Sequence, residues 1–213
     1  MNRHVYASLV LAILAAAPAT AQNGAMWVSP SGEMTGIIFR GGDGPLPSPM
    51  DRAPAEMARL FKALCLDGSA EPARFGEAAR DAGVKAAPIE TVGGGKKPAP
   101  VTLDLWSGDG LVVSRSEGNE AVPTAQCNAT FYVSTLPDKQ MVTDAVSAEV
   151  GLTPSNLAAA IDKKGKPKRF FNPEWTMAGP AGARIVTAFV DKGNHYMPGN
   201  RVQISIRTPK ASQ

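Results

Sequence analysis

Cys65 and Cys127 are the entire thiol content of this 213-residue chain. Two thiols can close a disulfide, hold part of a metal site or run redox chemistry. The last two need a C-x-x-C spacing or nearby histidines. Here the cysteines lie far apart in sequence, and one of the two histidines, His4, sits in the leader described below. In an oxidising compartment the expected state is a single intramolecular Cys65–Cys127 bridge. On the chain-entropy model, closing so long a loop stabilises the fold by about 4 kcal/mol. No metal and no cofactor is expected.

Groups that could support catalysis are few. His195 lies in a Gly- and Asn-rich turn beside Tyr196, where exposure to solvent is the ordinary explanation. Asp104 and Asp109 flank Trp106 across a hairpin tip, but turn aspartates commonly bond their own backbone, and alternation assigns Asp104 to the polar face of its strand. G-x-S-x-G, H-E-x-x-H, S-x-x-K with its partners and the dinucleotide fingerprint do not occur. Gly93–Gly95 is not followed by G-K-[ST], so it reads as a loop and not as a phosphate cradle. A basic run, Lys163, Lys164, Lys166, Lys168 and Arg169, leads straight into Phe170 and Phe171. Charge beside aromatics fits an anionic partner such as an envelope component, and it also fits a solvated helix end.

The N-terminus places these groups in a compartment. Arg3 and His4, an apolar run from Val5 to Ala17, then Pro18 and Ala19-Thr20-Ala21 follow the order of a secretory signal peptide over residues 1–21. About 13 apolar residues are too few for a spanning helix, which needs roughly 20. A periplasmic or secreted protein without a membrane span is expected. There the acceptor pattern Asn128-Ala129-Thr130, inside an apparent strand, carries no meaning. The net charge is only +3, which argues against a nucleic-acid binder. A hydrophobic content of 44% and a charged content of 19% are those of a globular chain.

The elements that must position these residues follow from periodicity. Residues 22–50 read as an irregular arm with one strand at Met34–Arg40, and residues 51–213 as the domain. Asp51–Leu66 predicts a helix with Met57, Leu60, Phe61, Leu64 and Cys65 on one stripe and Asp51 as its cap. Ala70–Ala82 predicts a second helix and Asp138–Val150 a third, the latter with Met141, Val142, Ala145, Ala148 and Glu149 within reach of one side. A short helix after Thr153-Pro154 runs to Asp162. Alternation then gives strands at Val101–Trp106, Leu111–Ser116, Thr124–Ser134, Ala183–Val190 and Arg201–Thr208. In the third of these Cys127, Ala129, Phe131 and Val133 share one face, with Asn128, Thr130 and Tyr132 on the other. The expected fold is a single α+β domain with an antiparallel sheet of about five strands and helices packed on one face. The competing architecture is a β-sandwich with peripheral helices.

The Leu60-Phe61-Lys62-Ala63-Leu64-Cys65-Leu66 helix end, its Ala-rich follower and the strands bearing Trp106 and Cys127 resemble a loose group of exported proteins of Gram-negative bacteria. The resemblance spans about Asp51 to Ser134. It implies export, one disulfide and an α+β domain, and carries over no activity. The expected function is a non-catalytic periplasmic binding or accessory module. The alternative is a small hydrolase whose site assembles only in three dimensions.

Overall fold

The computed structural model of the chain describes residues 27–28, 34–36, 47–68, 72–87, 104–117, 124–157, 172–179, 182–192 and 199–209. Strands β1 (Trp27–Val28) and β2 (Met34–Gly36) form a short antiparallel ribbon. The main chain of residues 47–53 is fastened to one end of the sheet. Met50 N donates to Tyr132 O, and Asp51 Oδ1 accepts from Ser134 N (2.7 Å) and Thr135 N (3.1 Å). Asp51 therefore ties the entry segment to the sheet and does not cap the first helix. Ala53 stands at the cap position with no side-chain bond. Gly110 makes the close approach possible: it has φ +62°, and a Cβ there would lie 2.6 Å from Met50 Cβ.

Helix α1 (Pro54–Phe61) opens on a proline, which costs nothing in a first turn. It widens into a π-helical turn over Lys62–Asp67, where Gly68 N bonds Ala63 O five residues back. The widening turns three successive residues, Leu64, Cys65 and Leu66, inward. Met57, Ala58 and Phe61 complete the buried face, while Leu60 is only partly buried. Helix α2 (Pro72–Asp81) buries Phe75 and Ala79, and Gly83 at φ +69° turns the chain out of it.

The strands are β3 (Lys85–Ala87), β4 (Asp104–Gly108), β5 (Leu111–Ser116) and β6 (Thr124–Val133), followed by α3 (Lys139–Val150). Then come β7 (Glu174–Met177), β8 (Arg184–Asp191) and β9 (Asn200–Pro209). They form one antiparallel sheet in the order β3-β4-β5-β6-β9-β8-β7. The sheet has seven strands, not about five. The two additions, β3 and β7, are edge strands of three and four residues, too short for a period of two to announce them. One seven-stranded sheet with three helices, and not a sandwich, is the main architecture of the described residues, beside the β1–β2 ribbon.

Register fixes the two faces. Val113, Ala129, Ile204 and Ala188 lie side by side across four strands, as do Leu111, Phe131, Val202 and Val190. With Cys127, Ile206, Val186 and Trp175 they form the core, covered by α1, its π-helical extension and α3. Asp138 caps α3, accepting from Gln140 N and Met141 N. The helix buries Val142 and Val146. Met141 is 58% exposed and Ala148 is exposed, so the inward side is rotated from the expected one. Of the short helix expected after Pro154, a turn at residues 155–156 leads into 3-10 helical backbone at Leu157, and the rest lies outside the described residues.

Candidate functional site

The other face of the sheet carries polar side chains, five of them withdrawn from solvent, interspersed with Leu105, Val112, Ile185 and Phe189. On β6 the period of two that buries Cys127, Ala129 and Phe131 sends Gln126, Asn128, Thr130 and Tyr132 to the opposite side. Register then aligns three rows. Ser116, Gln126 and Arg207 stand opposite one another on β5, β6 and β9. The next row is Ser114, Asn128, Ser205 and Thr187, and a further one is Tyr132, Arg201 and Asp191. Ser114, Ser116, Gln126, Asn128 and Arg201 are each at most 5% exposed.

Most of these groups are partnered. Asn128 Nδ2 donates to Ser114 Oγ at 3.2 Å, and the hydroxyls of Thr187 and Ser205 bond each other at 2.7 Å. Arg201 Nη2 donates to Asp191 Oδ2 across the base of the β8–β9 hairpin, and its guanidinium lies 5.7 Å from the centre of the Phe189 ring. Burial holds the Tyr132 phenol above its ordinary pKa of 10.0, and the positive charge of Arg201 pulls it part of the way back. Two buried donors on this face, Gln126 Nε2 and Arg201 Nε, have no hydrogen-bond partner. What the arrangement can do is donate hydrogen bonds from a pre-ordered, low-dielectric surface to an acceptor-bearing molecule.

The residues singled out in sequence fare differently. Cys65 and Cys127 are bonded to each other, with Cα atoms 5.5 Å apart, so the bridge joins the π-helical turn to the central strand as expected. Asp104 is not on the polar face. It stands opposite Arg115 and shares the helix-covered face with Trp106, because Asp104 pairs in register with the same side of β5 as Val113. Trp106 is committed to packing: its ring centre is 4.3 Å from that of Phe75, over which Arg115 lies at 4.8 Å. Asp109 is exposed at the hairpin tip, where its carbonyl oxygen accepts from Arg52 Nη2. Asp104 and Asp109 therefore do not converge. His195 and the basic run Lys163, Lys164, Lys166, Lys168, Arg169 and Phe170 lie outside the described residues. Among the described residues no group of three His, Cys, Asp or Glu side chains could hold a metal ion.

Gln126, Arg201 and Ser114 were not singled out in sequence. The alternation that places Asn128, Thr130 and Tyr132 together was legible. Nothing local shows that this face is buried. No family model, curated protein or solved structure matches the chain.

Proposed function

We propose that this protein is an exported, periplasmic binding or accessory module that holds a small polar ligand against the polar face of its sheet without transforming it. The observation that carries the reading is the buried polar layer itself. A buried amide, hydroxyl or guanidinium costs free energy unless it is hydrogen-bonded. Apolar residues of similar shape at Ser114, Ser116, Gln126 and Asn128 would serve a scaffold at least as well. Export rests on the leader sequence, and the bridge between Cys65 and Cys127 fits an oxidising compartment. No helix among the described residues is long and apolar enough to cross a membrane. The basic run at 163–169 stands beside this reading as a proposed contact for an anionic envelope component.

A thermal-shift screen with sugars, amino acids and small carboxylates tests it. A ligand of this face present at a hundred times its Kd adds about 2.7 kcal/mol, which raises the melting midpoint by roughly 5–10 °C. The same compound should have little effect on Asn128→Val, which removes the central amide. Stabilisation of parent and variant alike, or by no compound of any class, overturns the reading.

A further inference from the structure

Gln126 is the residue of the polar face whose chemistry is least accounted for. It is 5% exposed, and its Nε2 has no partner. Its direct neighbours across the sheet, Ser116 and Arg207, have interactions of their own. An amide nitrogen only donates, so whatever satisfies it in solution carries an acceptor oxygen. Directly opposed side chains in an antiparallel sheet have Cβ atoms about 5 Å apart, close enough for one small group to touch three of them.

The charges around Gln126 decide which acceptor. On the described strands, the positions of this face next to it are Thr124, Asn128, Ser114, Ser116, Ser205 and Arg207, and none is a carboxylate. Among the described residues, the acidic ones that share the face are distant. Asp191 belongs to the Tyr132 row and pairs with Arg201, and Glu174 stands on β7 at the sheet's edge. Arg207 offers five N–H donors in a planar fork, enough to keep its present partner and still share a ligand. We infer that the Ser116–Gln126–Arg207 row is a subsite for the carboxylate of a small organic acid, one oxygen accepting from Gln126 Nε2 and the other from the Arg207 guanidinium. The inference rests on the polar face being the binding face and names the ligand class.

Nitrogen-15 spectra of the mature, oxidised protein titrated with succinate test it. The side-chain amide signals of Gln126, identified by their loss in Gln126→Glu, should move saturably. Gln126→Glu keeps the shape but replaces the donor by an anion, and should weaken succinate binding by about tenfold or more. Arg207→Lys, which keeps the charge and loses the fork, should weaken it with the spectrum otherwise intact, and so serves if Gln126→Glu does not fold. Absence of saturable movement means that water satisfies Gln126 and overturns the subsite. Equal affinity in parent and Gln126→Glu, or an equal response to inorganic phosphate, overturns it as well. If succinate fails while a sugar or amino acid stabilises the parent over Asn128→Val, the carboxylate subsite is wrong and the binding face stands.

Discussion

At the scale of single residues, the groups that matter are those whose hydrogen bonds must be made inside the protein. Trp175 is fully buried on β7, and its Nε1 donates to Ser147 Oγ of α3 at 3.0 Å. Ser147→Ala leaves that donor unpaired and should cost about 1–3 kcal/mol, while Trp175→Ala also opens a cavity and should cost about 3–5 kcal/mol. Urea unfolding measures both, and a Ser147→Ala variant as stable as the parent would show that water reaches the indole. Tyr132 gives the pH prediction. Its folded pKa is raised, by burial first and against the lowering effect of Arg201, so the folded state holds its proton longer than the unfolded chain does. Stability is therefore complete below about pH 10 and falls as pH rises through the folded pKa, because the unfolded chain gains by ionising first. Tyr132→Phe should remove this part of the alkaline slope. An unchanged slope in denaturation measured from pH 9 to 11 would assign it to other groups.

At the scale of elements, the disulfide and the π-helical turn form one unit. The bridge spans a separation of 62 residues and connects Lys62–Asp67 to β6. The paired Cys65→Ala, Cys127→Ala variant should lose about 4 kcal/mol on the chain-entropy model and keep its sheet. A loss below about 1 kcal/mol in urea titration would mean that the reduced, unfolded chain is already compact. The same elements show where sequence reading succeeds. Val202, Ile204 and Ile206 announce β9, because a half-buried strand imprints a period of two, while the continuous apolar run Leu111–Val113, buried on both faces, is announced as β5 by the turn before it. Lys85–Ala87 carries no such imprint, and in Glu174–Met177 the alternation of Trp175 and Met177 lasts only four residues. As edges they are recruited by the strands beside them, and their pairing energy is not written in their own residues. Trp106 and Asp104 show the related difficulty. Alternation defines two faces of β4, but which face meets the helices was decided by Phe75, far away in sequence. The polar face was legible as polar and not as buried, since burial belongs to the assembled sheet.

At the scale of the whole molecule, the sheet is two antiparallel runs joined at one seam. Strands β3 to β6 follow one another, α3 carries the chain across to the far edge, and β7 to β9 return to pair with β6. The β6–β9 seam runs in unbroken register from Thr124↔Pro209 to Val133↔Asn200, and it joins residues distant in sequence. Neither run covers its own apolar face alone, because α1 and its extension contact both β6 and β9. The two halves should therefore unfold together. The chain supplies its own reporters: of its three tryptophans, Trp106 lies in the first run and Trp175 in the second. In a Trp27→Phe, Trp175→Phe variant fluorescence reports the first run, and in Trp27→Phe, Trp106→Phe it reports the second. Each fluorescence midpoint in urea should match the far-UV circular dichroism midpoint of the same variant. Ile204→Ala, fully buried at the seam, should lower both reporters' midpoints in step, with a cost of about 2–5 kcal/mol. Separate midpoints, or a seam substitution felt by Trp175 and not by Trp106, would show that the runs are independent units and that the polar face is assembled only when the two dock.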